Sequence, residues 1–341
     1  MPLPSPILLT ADSAHTPPPI PTTCKAIDTD ALPGGFERGI ITALSGGAGT
    51  GKTLIALHAL TTLLLTDPRA EAAVVDTTGS FDVGRLRGVV MARVMVGAGG
   101  DGNAGHSGEE RERIVGNVLD RVKIMRVWDM VGLMEAVGEV REGLERRGSG
   151  KGRSEVVAGS QGEDEDEEMV EEEEEAVETL PERVGVIVID TITNVVAPVM
   201  SKSQVQGHAL LITFARSLSL LTAHHSLLTL LINNVVSTTP RRQNPPHAPS
   251  TDASIFASTH GKPALGRSFS YCVDTHVMLS KVARGREDAE MAVEVGKGKG
   301  KVGWREVGVC EVLEQRFGPG KGRWGCFVVE VGCCVVGFDW G

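Results

Sequence analysis

Residues 46–53 read Gly46-Gly47-Ala48-Gly49-Thr50-Gly51-Lys52-Thr53, which satisfies G-x-x-x-x-G-K-[ST]. Small residues let a backbone fold around an anion with its N–H groups pointing inward. A helix starting near Lys52 turns the positive end of its dipole to the same place. Lys52 adds a full charge for β- and γ-phosphates, and the Thr53 hydroxyl is a ligand for Mg²⁺. The chemistry is the binding of ATP with Mg²⁺. Further on, Val186-Ile187-Val188-Ile189-Asp190 is an apolar run closed by a carboxylate. Alone, Asp190 reads equally as a turn residue. Beside the glycine loop it becomes the group that holds the Mg²⁺ shell through water, at the strand end where open α/β sheets take their ligands.

These residues need strands and helices to place them. Residues 40–44 form a short β-branched run that ends in the loop. After it, Leu54, Leu57, Leu60 and Leu64 recur at helical spacing over residues 52–65. Further strands are expected at 73–75, ending at Asp76, at 122–127, 186–189, 227–232 and 271–279. Helical patterns cover 129–147 and 206–223, and β-rich stretches close the chain at 326–331 and 334–338. Apolar strands alternating with helices predict an α/β fold: a mostly parallel sheet with helices on both faces, and a C-terminal β-rich portion.

Four stretches interrupt this pattern. Residues 1–24 are rich in Pro, Ser and Thr and read as a flexible lead-in to a core spanning 25–341. The core is broken at 148–181 by a glycine- and serine-rich stretch and then an acidic run, read as a disordered insert. Residues 237–261 hold four prolines beside Arg241 and Arg242, and residues 296–303 alternate Gly and Lys. The acidic run, 163–178, carries twelve acidic residues, so the formal −10 of the chain becomes about +2 without it. A near-neutral core neither demands nor forbids a nucleic-acid partner.

With 4% aromatic residues, a platform that stacks single-stranded bases is disfavoured. Cys24, Cys272, Cys310, Cys326, Cys333 and Cys334 contain no C-x-x-C pair, which argues for small apolar residues rather than zinc or disulfides. Adjacent His224 and His225 read as packing at a helix end rather than one metal site. The N-terminus lacks a basic, apolar leader, and the most apolar window, 209–236, is interrupted by Arg216, His224 and His225. A soluble, intracellular protein with no membrane partner is expected.

Ahead of the loop stands Leu32-Pro33-Gly34-Gly35-Phe36-Glu37-Arg38-Gly39-Ile40-Ile41-Thr42. Behind it, in order, come 75–81 (Val-Asp-Thr-Thr-Gly-Ser-Phe), 190–193 (Asp-Thr-Ile-Thr), 232–235 (Ile-Asn-Asn-Val) and 262–269 (Lys-Pro-Ala-Leu-Gly-Arg-Ser-Phe). In this set the chain resembles the RecA-like recombinases, specifically the eukaryotic Rad recombinase paralogues, and residues 190–198 and 262–269 look most like the D-type paralogue. The resemblance spans roughly residues 30–280 and implies a RecA-type P-loop NTPase core. About thirty residues precede that core, without the helical N-terminal domain common in the family.

The resemblance also implies roles. Where active members carry a glutamate that activates water, this chain has Thr78, and a general base is worth ~10²–10⁴ in rate. Asn234 stands at the position of a γ-phosphate-sensing Gln, and His276 where an Arg is frequent. No residue is therefore assigned a catalytic role. Segments 198–207 and 237–261 correspond to loops that face DNA, which makes Arg241, Arg242, Lys262 and Arg267 the residues for phosphate contact. The expected protein is a nuclear, ATP-binding paralogue in homologous-recombination DNA repair with weak hydrolysis. Its implied partners are other RecA-like recombinase paralogues, the recombinase filament, and single-stranded or branched DNA. Two alternatives stand beside this: an active DNA-dependent ATPase that exchanges strands, and a nucleotide-binding scaffold without DNA contact.

Overall fold

A computed structural model describes residues 17–97, 107–149, 183–237, 254–256, 261–290, 305–330 and 334–338. The chain opens with a wide helical turn, Ile27–Ala31, and strand β1, Ile41–Gly46. Next come α1 Lys52–Thr66, β2 Ala70–Asp76, α2 Val83–Gly97, α3 Gly108–Asp120, β3 Val122–Arg126 and α4 Met130–Ser149. They are followed by β4 Arg183–Asp190, α5 Ile192–Lys202, α6 Gln204–His225, β5 Leu228–Asn233, β6 Val235–Ser237 and β7 Gly261–Pro263. Finally come α7 Gly266–Ser270, β8 Thr275–Ala283, β9 Glu306–Gln315, β10 Trp324–Val329 and β11 Val335–Gly337.

All but β6 and β7 join one nine-stranded sheet in the order β11-β10-β9-β8-β1-β5-β4-β2-β3. From β8 to β3 every pairing is parallel. From β8 to β11 every pairing is antiparallel. The helices follow from the strands' two-residue period. Val186 and Val188 face one layer with Leu54, Leu57 and Leu86, while Ile187 and Ile189 face the other with Val137, Leu211 and Phe214. A sheet apolar on both faces must be covered twice, so α1, α2 and α3 lie on one side and α4, α5 and α6 on the other. This is the expected RecA-type α/β core with its β-rich C-terminal portion.

Several expectations are corrected. Residues 20–24, placed in the flexible lead-in, belong to the core: Ile20 bridges Phe36, and Ile20, Thr22 and Cys24 are buried. Asp28 fixes them by accepting from the Thr22 and Thr23 amides at 2.9 and 2.8 Å. The prolines around this short anchor hid it. Segment 198–207, expected as a DNA-facing loop, is helical, with α5 ending at Lys202 and α6 starting at Gln204. Burial of Ile192, Val195 and Val196 outweighs the one hydrogen bond that Pro198 removes from α5. The strand expected over 271–279 begins only at Thr275, because the Tyr271 and Cys272 amides close the end of α7 on the Arg267 and Phe269 carbonyls at 3.2 and 2.9 Å. Strand β9 and helices α2 and α3 were not anticipated.

Residues 1–16, the acidic run, Arg241 and Arg242, the Gly-Lys stretch from 296 to 303 and Cys333 lie outside the described residues. Cys24, Cys310 and Cys326 are buried free thiols. Among the described residues, no helix is long and apolar enough to cross a membrane.

Candidate functional site

The site forms where β1, β2, β4 and β5 end side by side. Register sets Asp76 beside Asp190, and Ser45 beside Asn233. The turn from β1 into α1 is built on glycine for steric reasons. Gly49 and Gly51 have φ of +73° and +95°, which side chains rarely adopt. A Cβ on Gly46 would stand 2.6 Å from the Leu279 carbonyl oxygen and from Thr50 Oγ1.

Lys52 is buried at the first turn of α1 and donates from Nζ to the Gly46 and Gly47 carbonyls at 2.8 and 2.7 Å. Burial lowers its pKa, partly opposed by the charge of Asp190. Thr53 Oγ1 donates to Asp190 Oδ2 at 2.7 Å. Burial raises the Asp190 pKa, while the Thr53 hydroxyl, Lys52 and Arg85 pull it down and Asp76 adds to the rise. A hydroxyl and a carboxylate in contact are the hard oxygen donors that Mg²⁺ takes, and the glycine cradle suits phosphate, so the residues present fit Mg-ATP.

The ends of β2 and β4 are stitched together. The Thr77 amide donates to the Asp190 carbonyl at 2.8 Å, and Thr77 Oγ1 donates to the Thr191 carbonyl at 2.9 Å. Asn194 Nδ2 donates to the Thr77 carbonyl. Beyond them, Asp76 organises the turn that carries Thr78. It accepts from the amides of Thr78, Gly79 and Phe81 at 3.0, 2.9 and 3.0 Å, and from Thr78 Oγ1 at 3.0 Å. Burial alone would raise its pKa, but the bonds from Phe81, Thr78 and Gly79 prevail and hold it low. Thr78 itself also shares a 2.6 Å hydrogen bond with Ser80 Oγ. Asp76 is thus spent on the turn, and Thr78 carries no carboxylate.

At the end of β5, exposed Asn234 joins the network through its backbone, whose amide donates to Thr193 Oγ1 at 2.9 Å. Its neighbour Asn233 is buried and central. Thr193 Oγ1 donates to Asn233 Oδ1 at 2.6 Å, and Asn233 Nδ2 donates to Ser45 Oγ at 2.9 Å. Ser45 shares a 2.7 Å hydrogen bond with His276 Nε2, whose ring contacts Ser270 Oγ through Nδ1 at 3.1 Å. His276 is therefore a buried member of a polar chain beneath the glycine loop.

A cavity of about 450 Å³ opens over residues 49–54. Its other walls come from Arg85, Lys281, Glu306, Gly308 and Phe327, none of which the sequence singled out. No local motif could have pointed to them, since they reach the loop only when α2 and β8–β10 take their places. Lys262 on β7 and Arg267 in α7 are exposed, outside this cavity's lining. His224 and His225 contact each other edge-on at the end of α6, with ring centroids 4.5 Å apart.

Comparison with known proteins follows this geometry. No protein-family model matches the chain. It is similar to the mouse "DNA repair protein RAD51 homolog 4", 23% identical over 248 residues, covering 73% of this chain and 56% of that protein. The bovine protein of the same name is 22% identical over 248 residues, covering 73% of this chain and 57% of the relative. The chain thus spans little more than half the length of these relatives. Among solved structures, the crystal structure of the RadB recombinase aligns with a TM-score of 0.54 at 18% identity, over 94% of this chain and 100% of that one. That likeness establishes the fold.

Proposed function

We propose that this chain binds Mg-ATP and acts in homologous-recombination DNA repair as a RecA-like recombinase paralogue, most like the D-type, with weak intrinsic hydrolysis. One observation carries the reading. The groups for phosphate and Mg²⁺, Lys52 and the Thr53–Asp190 pair, stand together, while the position expected to activate water holds Thr78 and adjacent Asp76 is consumed by backbone amides. The glycine loop would cradle the phosphates, Lys52 would neutralise them, and Thr53 and Asp190 would hold Mg²⁺. When bound, the metal supplies charge neutralisation on the phosphate oxygens. Thr78 supplies no base, so binding outlasts turnover and ATP serves as a conformational clamp.

The similarity to DNA repair proteins supports a role in a nuclear paralogue complex, with other RecA-like paralogues, the recombinase filament and DNA as partners. DNA contact falls to Arg241, Arg242, Lys262 and Arg267 in this reading.

The test is kcat on the purified chain, with Lys52→Ala as control for contaminants. The expected rate lies far below the ~1–10³ s⁻¹ of ordinary enzymes. Wild type should gain ~2.7 kcal/mol of stability at a ligand concentration 100-fold over Kd, and Lys52→Ala should gain none. Turnover of several per second that vanishes in the control would replace this reading with a DNA-dependent ATPase. Glu306, the carboxylate that lines the cavity, would then be the base to remove. Unchanged DNA retention after charge reversal at Arg241 and Arg242 would favour a scaffold without DNA contact.

A further inference from the structure

β8 runs past the end of β1. Leu279 is the register partner of Gly46, the last residue of β1, so Lys281 stands two residues beyond the strand end and on the same face as Leu279. That face is the one toward α1, since Leu279 is buried in the same layer as Leu54 and Leu57. The consequence is a second lysine over the phosphate loop. Lys281 Nζ lies 4.0 Å from the position that a Cβ on Gly49 would occupy, and Lys281 lines the same cavity as Lys52 and Thr53. Across the strand pair, Glu306 holds the ammonium at 2.8 Å. Both side chains are part-exposed, at 40% and 32%, so their pairing is weak and exchangeable.

We infer that Lys281 is a second phosphate-positioning cation of this site, held in reserve by Glu306 and recruited when a nucleoside triphosphate occupies the loop. The inference rests on the nucleotide reading above and adds to it a residue and a selectivity. Lys52 is buried at the base of the loop and meets phosphate from the side of α1. Lys281 meets it from the side of the sheet, above the middle of the loop. A triphosphate carries more negative charge than the single carboxylate of Glu306, and a diphosphate lacks the terminal group for which the two would compete. Exchange of partners at Lys281 therefore favours triphosphate over diphosphate. No bond is made or broken, and Glu306 is left facing solvent at the cavity mouth.

Calorimetric titration of the full chain with Mg-ATP and Mg-ADP tests this. Lys281→Met should weaken Mg-ATP roughly tenfold, the size of one charge-assisted hydrogen bond, and Mg-ADP much less, collapsing the ATP-to-ADP affinity ratio. Lys281→Arg should keep the ratio, and Glu306→Gln should raise it by freeing the ammonium. Melting without nucleotide should be the same in all variants, since neither side chain is buried. An unchanged ratio in Lys281→Met, or equal loss of both nucleotides, overturns the inference while leaving the nucleotide site standing. Failure of wild type to bind either nucleotide, with Lys52→Ala indistinguishable from it, overturns the site and this inference together.

Discussion

At the scale of single residues, the site is assembled from groups that the folded chain would rather not hold. Asp190 sits mostly buried, and burial raises its pKa above the ordinary 3.8. A carboxyl raised in this way adds stability that is complete below pH 3.8 and is lost as pH rises through the folded value. Ionising this carboxyl in the metal-free protein carries the desolvation cost that burial imposes on its charged form. Asp190→Asn should raise the metal-free melting temperature at pH 7, by roughly 2–4 °C for every kcal/mol relieved. It should also abolish any rise caused by adding Mg²⁺ with ATP. The amide oxygen still accepts from Thr53, so the fold loses little. A melting temperature that falls in the variant would mean that Asp190 is a structural partner rather than a functional charge kept at a cost.

At the scale of elements, short polar clasps decide where the connecting segments lie. Asp76 clasps the turn after β2, and Thr77 ties that turn to the start of α5. A less expected clasp sits on β9. Glu311, only 2% exposed, accepts from the Ile255 amide at 2.8 Å and from Ser254 Oγ. The Phe256 ring then meets Trp324 edge-on, 5.3 Å between centroids. Residues 254–256 thereby cover the face of β9 and β10 opposite the cavity, over Val307, Val309 and Cys326. Glu311→Ala leaves the Ile255 donor without its partner, at a cost of about 1–3 kcal/mol. The denaturation midpoint should drop with the slope unchanged. An unmoved midpoint would show that the clasp contributes nothing to the folded state in solution.

At the scale of the whole molecule, one sheet carries both the glycine loop and the C-terminal strands, and Phe327 is where they meet. Its ring is buried, faces Gly51 of the loop, and occupies the space that a Cβ on Gly308 would need. Phe327→Ala should cost ~3–5 kcal/mol as a large-to-small core change. It should also weaken Mg-ATP, because the wall against Gly51 is lost. Destabilisation with unaltered nucleotide affinity would separate the two roles. The antiparallel strands are therefore part of the site as well as of the fold.

What the sequence determined by itself was everything written locally. The glycine loop from Gly46 to Thr53 is one contiguous motif, so its turn and the helix that follows were readable without a fold. Apolar runs such as 186–189 announced central strands, because a strand buried on both faces must be apolar throughout. Asp190 was legible because it closes such a run. Patterns with mixed signals were not. Pro198 hid the end of α5, prolines hid the anchor at Ile20, and α3 shows its apolar stripe only after the charged run from Glu109 to Arg113.

Only the tertiary structure decided which distant groups share a site. Thr53 and Asp190 are 137 residues apart along the chain and 2.7 Å apart in space. Ser45 and His276 are separated by 231 residues and joined by a hydrogen bond. It also decided that Asn233, not Asn234, enters the buried network, since strand period and register choose which of two adjacent amides points inward. Lys281, Glu306 and Phe327 belong to the cavity for the same reason. Their place depends on β8 lying beside β1 and on β9 and β10 turning back alongside it. Strand order is fixed by the packing of all the layers at once, and no window of sequence contains it.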